Sequence, residues 1–328
     1  MLRIAKEGLY CEAGDFYIDP WRGVDRALIT HGHSDHARSG SKSYLCSEDS
    51  VPVLQARLGQ KIVVHGMGYG ETRTIGDVVV SFHPAGHVLG SAQIRLERGG
   101  EVWVVSGDYK VENDGISGAF EPVPCHTFIT ESTFGLPVYK WRPQAEIVAS
   151  IHRWWAQNQK AGRASVLFTY ALGKAQRLLS TLDDGQGPIA VHGAVSKLLP
   201  AYEMAGVGFP SLIEVGRRVE RDVARQALLI APPSSENTPW MRKFGPVNTA
   251  FASGWMRVRG GRRRGSYGEG FAISDHVDWP GLLATVRATG ARRVLVTHGY
   301  AEALSRYLRE RGLDAGVLPT RFVGETED

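Results

Sequence analysis

"THGHSDHARSG", residues 30–40, places His31, His33, Asp35 and His36 side by side. Nitrogen and oxygen donors without a thiolate suit Zn²⁺, with Mn²⁺ as the other candidate. The preceding run, "ALIT", reads as a strand, on which side chains alternate with period two. His31 and His33 then project to one side, and Asp35 and His36 lie just beyond, at the expected start of a helix. One metal could take the first pair and a neighbouring metal the second. These four ligands are too few for two metals, so others must come from elsewhere. His87 in "PAGHVLGS", Asp108 in "SGDY" and His298 in "VTHG" are the candidates, each following an apolar run.

The rest of the chain sets the frame. Its 328 residues are long for one domain, and 43% apolar with 9% aromatic residues provide ample core. No apolar run approaches the roughly 18 residues of a membrane span. The N-terminal stretch "MLRIAKEGLYCEAG" lacks the regions of a signal peptide, so a cytoplasmic protein is expected. Cys11, Cys46 and Cys125 are odd in number and contain no CxxC pair, which argues against a disulfide framework or a cysteine zinc site. Lysine and arginine number 38 against 34 acids, and a net charge of +4 by itself says little about partners.

Up to about residue 140, short β-branched or aromatic runs alternate with Gly, Pro and Ser. "DRALITH", "DVVVSFHPAGH", "EVWVVSGDY" and "CHTFITEST" each deliver a ligand-type residue at the C-terminal side, the last delivering Glu131. Functional groups gathered at strand ends suit a layered α/β sheet. From Arg142 the texture changes. "PQAEIVASIHRWWAQNQKAG" has helical spacing, with Pro143 near its start and Gly162 after its end. "ASVLF", "GPIAV", "QALLIAPP" and "NTAFASGW" read as buried strands alternating with helices or loops. The strand "GFAISDH", a helix in "WPGLLATVRATG", the strand "RRVLVTHG" and a final helix "AEALSRYLRERG" then restore the first texture. The expected organisation is a first domain over 1–141, an α/β insertion over 142–256, and completion of the first domain over 257–328.

HxHxDH, the lone histidine of "AGHVLGS" and the following "GD" resemble the metallo-β-lactamase fold. "ITESTFG", "ISDHVDW" and "VTHG" are similar to motifs A, B and C of its β-CASP nucleases, and "ALGKAQRLL" resembles a helix entry of that group. The resemblance covers nearly the whole chain, with the bacterial ligase-associated DNA exonucleases and the DNA cross-link repair nucleases as the nearest types. It implies an αββα sandwich with an inserted β-CASP domain, and two divalent metals, Zn²⁺ or Mn²⁺. His31, His33, His87 and Asp108 would hold one ion; Asp35, His36, His298 and a bridging Asp108 would hold the other. Asp19 in "YIDP" matches an early acidic motif that supports a ligand. His276 of motif B would be oriented by Glu131 of motif A. Two metals about 3.5–4 Å apart can share a hydroxide and clamp a phosphodiester. His276 would then donate a proton to the departing sugar oxygen or hold the phosphate, with Glu131 favouring its protonated form. Isolated histidines, namely His65, His83, His126, His152 and His192, read as ordinary surface or core residues.

"MRVRGGRRRGSYG", residues 256–268, carries Arg257, Arg259, Arg262, Arg263 and Arg264 just before motif B, suited to a nucleic-acid backbone. "FASGW" resembles a "PTGW" stretch of the cross-link repair enzymes, so Ser253 and the amides around Gly254 are candidates for a terminal phosphate. Lys174 of "ALGK" joins these substrate-binding candidates. DNA-cutting members commonly carry Val at motif C and RNA-cutting members His; ligase-associated exonucleases carry His, as this chain does at His298. The favoured reading is a single-strand-preferring, 5′-phosphate-dependent DNA exonuclease in repair, functionally linked to an ATP-dependent DNA ligase. An RNA-processing nuclease of the mRNA 3′-end type is the alternative. The insertion weighs against a small-molecule hydrolase, and the complete ligand set against a silent nucleic-acid binder.

Overall fold

The computed structural model describes residues 1–215, 220–258 and 267–321. The chain divides into two compact units: Met1–Tyr139 with the described residues from Asp275 onward, and Lys140–Ser274.

In the first unit, one sheet runs in chain order through β1 (Leu2–Ala5), β2 (Gly8–Cys11), β3 (Phe16–Ile18), β4 (Arg26–Leu28), β5 (Ser43–Ser47) and β6 (Val64–Met67). It is antiparallel from β1 to β3 and parallel thereafter. The chain continues into β7 (Thr72–Ile75), β8 (Val78–Pro84), β9 (Ala92–Arg98), β10 (Glu101–Val105) and β11 (Thr127–Glu131). It then builds the second unit with β12 (Ala164–Phe168), β13 (Ile189–Val191), β14 (Leu212–Glu214), β15 (Leu228–Ala231), β16 (Val247–Ala252) and β17 (Glu269–Phe271). β18 (Arg293–Thr297) and β19 (Asp314–Val317) return to the first unit, adding in parallel beside β11.

The sheets of the first unit share one apolar layer. Phe16, Ile18, Leu28 and Leu45 of one meet Val80, Phe82, Ile94 and Leu96 of the other. Each such fully buried side chain contributes about 1.5–3 kcal/mol relative to exposure. Period-two alternation turns Val104, Phe128, Val294 and Val296 to the opposite face. There they pack on Leu282 and Val286 of helix Trp279–Thr289 and on Leu304 and Leu308 of helix Ala301–Arg309. Helix Trp279–Thr289 starts where Asp278 accepts the Gly281 amide at 2.9 Å, and ends at Gly290 in the left-handed conformation, φ 64°. Helix Ser50–Leu58 covers the far face of the other sheet, placing Leu54 among Ala27, Tyr44 and Cys46.

The second unit contains an all-parallel sheet in the order β14-β13-β15-β12-β16-β17. "ASVLF" and "LLIA" of β12 and β15 are buried throughout, as parallel strands covered on both faces are. The end expected at 256 moves to Ser274, because β17 pairs with β16 and keeps "EGF" in this unit. β4 also stops earlier than the expected strand. Asp35 and His36 stand in a turn closed by His36 N and Ala37 N on the His33 carbonyl, not at a helix start. No helix among the described residues is long and apolar enough to cross a membrane.

Candidate metal centre

Sheet register brings the site together. In the parallel set β10-β11-β18, Val105 lies opposite Ile129, and Glu131 opposite Thr297. The loops leaving these strands therefore carry Asp108 and His298 to the same end of the sheet as Glu131. The Ala92 amide donates to the Thr30 carbonyl at 2.8 Å, tying the His87 loop to the His31 loop. Two glycines permit the close approach. A Cβ on Gly107, φ 56°, would lie 2.6 Å from the Thr30 side chain, and one on Gly299, φ 57°, would lie 2.4 Å from the Ser132 oxygen.

The ligand atoms of His31, His33, His87 and Asp108 all lie within 4.8 Å of one another, as do those of Asp35, His36 and His298. His33 Nδ1 is 3.1 Å from His31 Nε2 and 3.0 Å from His87 Nε2. A tetrahedral ion bound at about 2.0–2.1 Å would hold its nitrogens roughly 3.3 Å apart. The Asp108 Oδ2 oxygen lies 3.6, 3.9 and 3.5 Å from the Nε2 atoms of His31, His87 and His36, between the two groups. His36 Nε2, Asp108 Oδ1 and His298 Nδ1 are buried atoms that make no hydrogen bond among the described residues. Buried polar atoms are nearly always bonded. A divalent cation in each group would engage all three, so the donor set fits metal.

For His31, His87 and His298 the electrostatics point the same way. Burial and the neighbouring histidines hold His31 and His87 well below the usual histidine range, in the neutral form that ligates metal. Desolvation lowers His298 as well. Burial opposes the charge on His36, but Asp108, Asp35 and Asp19 outweigh it and hold His36 well above the usual range. Burial likewise opposes ionisation of Asp108, and His36 and His276 overcome it, leaving Asp108 well below the carboxylate range.

A supporting layer fixes the rings. Asp19 accepts from the Thr30 amide at 2.8 Å and the Thr30 hydroxyl at 2.6 Å, and lies 2.8 Å from His36 Nδ1. His87 Nδ1 sits 2.9 Å from the Asp275 carbonyl, which leaves Nε2 for the cluster. Asp19, φ 45°, and His298, φ 57°, both occupy the left-handed region, uncommon for residues other than glycine. Beside the cluster, His276 Nδ1 is 2.9 Å from Glu131 Oε2, while Glu131 Oε1 accepts the Tyr109 amide at 2.8 Å. Burial raises the Glu131 carboxyl and the His276 contact partly offsets it.

Sequence reading missed Thr30, the Asp275 carbonyl, the Tyr109 amide and Arg57, which donates to the Gly32 carbonyl inside the HxHxDH loop. Backbone groups carry no residue-type signal, and Arg57 lies on a helix with nothing marking its reach. The substrate candidates fall in the second unit. Ser253 is buried and accepts weakly from the Trp255 amide at 3.4 Å, and Gly254 is buried beside it. Lys174 is fully buried with Nζ 4.4 Å above the Tyr170 ring, a core position rather than a surface one. Arg257 is exposed, while Arg259, Arg262, Arg263 and Arg264 lie outside the described residues.

No family model matches the chain. It is 33% identical over 313 residues, 95% of its length, to a probable DNA ligase of Opitutus terrae, and covers 30% of that protein. It is 30% identical over 175 residues to the endoribonuclease YSH1 of Gibberella zeae, which is 52% of this chain and 20% of that one. It is 27% identical over 216 residues to the transcription termination factor FttA of Methanothermobacter thermautotrophicus, which is 53% of this chain and 32% of that one. The chain thus spans about a third or less of these relatives. The likeness to the probable DNA ligase runs along nearly the whole chain, and the likeness to the endoribonuclease and the termination factor along about half of it. A protein of unknown function from Enterococcus faecalis shares the fold, with TM-score 0.60 and 11% identity over 92% of this chain and 80% of that one.

Proposed function

We propose that the chain is a two-metal DNA exonuclease, of Zn²⁺ or Mn²⁺, that degrades single strands from a 5′-phosphate. Its setting would be cytoplasmic DNA repair beside an ATP-dependent ligase, with Lys140–Ser274 as the β-CASP domain inserted into a metallo-β-lactamase sandwich. The observation that carries the reading is the pair of histidine–aspartate groups meeting at Asp108 with the His276–Glu131 pair beside them. The relation to a DNA ligase along almost the whole chain favours DNA.

In this reading His31, His33, His87 and Asp108 would hold one ion, and Asp35, His36 and His298 with Asp108 would hold the other. Divalent ions bound there would supply Lewis-acid polarisation of a phosphate and would lower the pKa of water towards about 7. Asp19 holds His36 through Nδ1 and keeps Nε2 turned to Asp108; the Asp275 carbonyl does the same for His87. Glu131 fixes the His276 ring through Nδ1, leaving Nε2 to pass a proton to the departing sugar oxygen. Ser253 and the Gly254 region receive the terminal phosphate, and Arg257 with the arginines after it tracks the strand.

His298 at motif C and the endoribonuclease relatives favour a second reading, an RNA-processing nuclease. Matched end-labelled DNA and RNA strands, each with and without a 5′-phosphate, decide between them. Chelator-sensitive loss of nucleotides from 5′-phosphorylated DNA is expected. Faster cutting of RNA establishes the second reading, and no cutting of either polymer rejects both.

A further inference from the structure

A cavity of 230 Å³ opens within the second unit, and neither Ser253 nor Lys174 lines it. It lies between the start of helix Gln144–Lys160, the turn Gly254–Arg257 and strand β17. Lys140, Arg142 and Arg257 stand on its rim, all exposed. Among the described residues, none of the three side chains forms an ion pair or hydrogen bond, and no carboxylate lines the cavity. Ile147, Met256 and Phe271 are buried and form its apolar floor, with Phe271 held edge-on by Trp154, ring centroids 5.8 Å apart.

Cations on a surface are ordinarily scattered or paired with acids, which limits their mutual repulsion. Three cations with no partner among the described residues, set around one concave, partly apolar site, leave a local excess of positive charge that an anion relieves. Apolar walls also reduce screening, so the charges act more strongly there than on an open surface. The chemistry at the rim suits a phosphate, which arginine can grip with two parallel hydrogen bonds. The floor suits the apolar face of the attached sugar. A free carboxylate would use the rim and leave the floor idle.

We propose that this cavity is a separate phosphate-binding subsite, in which Lys140, Arg142 and Arg257 converge on a single backbone phosphate of a nucleic-acid strand while the sugar rests on Ile147, Met256 and Phe271. The strand as occupant rests on the nuclease reading above; the phosphate chemistry of the cavity stands without it.

Convergence on a single phosphate has a numerical signature. Each neutralised phosphate of a single strand contributes about 0.7 to the slope of log K against log salt. The experiment measures binding of a cleavage-resistant phosphorothioate oligonucleotide to the metal-loaded protein by fluorescence anisotropy across a salt series. The triple variant Lys140→Ser/Arg142→Ser/Arg257→Ser should lose about 0.7 of slope, one phosphate's worth. The charge-keeping variant Lys140→Arg/Arg142→Lys/Arg257→Lys should retain it. An unchanged slope overturns the proposal, and so does a loss near 2, which would mean three separate phosphates. A matched acidic peptide whose binding falls equally on the triple serine change would assign the cavity to carboxylates and also overturn it.

A second arm needs no nucleic acid. Inorganic phosphate should raise the thermal midpoint of the native protein more than that of the triple serine variant, since binding to the folded state stabilises it. Equal shifts overturn the subsite. If native protein binds no oligonucleotide yet shows the phosphate-dependent difference, the nuclease reading fails while the phosphate site stands.

Discussion

The histidine cluster of the first unit and the cationic cavity of the second handle charge in opposite ways. Around Asp108 the groups are buried, and Asp19, Glu131 and the Asp275 carbonyl hold individual ring nitrogens at 2.8–2.9 Å. Lys140, Arg142 and Arg257 are exposed and held by no partner among the described residues. A metal tolerates displacements of only tenths of an ångström, so its ligands need a fixed second layer. A strand phosphate in water tolerates more, because the attraction is long-ranged and each side chain can adjust. The contrast teaches where substitutions matter: a single atom in the first region, summed charge in the second.

The largest effect is expected at Asp108. Asp108→Ala removes the oxygen lying between both groups, so metal content by elemental analysis and strand cleavage should both collapse, beyond the roughly 10–100-fold typical of supporting residues. Full retention of both ions would show that the two groups do not share this carboxylate.

His276→Ala comes next. It should keep both metals and lose about 10²–10⁴ in turnover, the usual worth of general acid–base catalysis. An activated aryl phosphodiester needs little leaving-group protonation and should lose less. Equal losses on the two substrates would make His276 a phosphate ligand instead.

Asp19→Asn tests the supporting layer. Asparagine tolerates the φ of 45° at this position, so the backbone is preserved while the charge beside His36 is lost. A fall of roughly 10–100-fold in metal affinity is expected, measured by competition with a chromogenic chelator. An unchanged affinity would reduce Asp19 to a brace for Thr30.

The smallest effect belongs to Ser253. Among the described residues its hydroxyl makes only the long hydrogen bond from the Trp255 amide, so Ser253→Ala should cost less than about 1 kcal/mol of stability. It should slow cleavage of 5′-phosphorylated strands and leave 5′-hydroxyl strands unaffected. Equal slowing of both would remove Ser253 from end recognition.

Much of the site was legible because ligand chemistry is written in residue types. HxHxDH holds four donors in one loop, and His87, Asp108, Glu131 and His298 each follow a strand-like run, so their placement near strand ends could be read locally. The second unit was legible from "ASVLF" and "LLIA", whose continuous apolar character marks buried parallel strands. The boundary at Ser274 was not, because "GFAISDH" reads as the same kind of strand whichever sheet receives it; only pairing with β16 decides. The helix expected at Asp35 failed for a related reason. A short turn between ligands satisfies the His33 carbonyl as well as a helical start would.

By itself the sequence determined the candidate donors, their spacing within each loop, and the alternation of strand and helix that makes the second unit α/β. These depend on residue type and local period, which a linear string contains. Tertiary structure alone decided which distant groups meet, Glu131 with His276, His87 with the Asp275 carbonyl and Asp19 with His36, and that Lys140, Arg142 and Arg257 line one cavity. Such meetings follow from sheet register and strand order, set by burial of whole faces at once, and no local period encodes them.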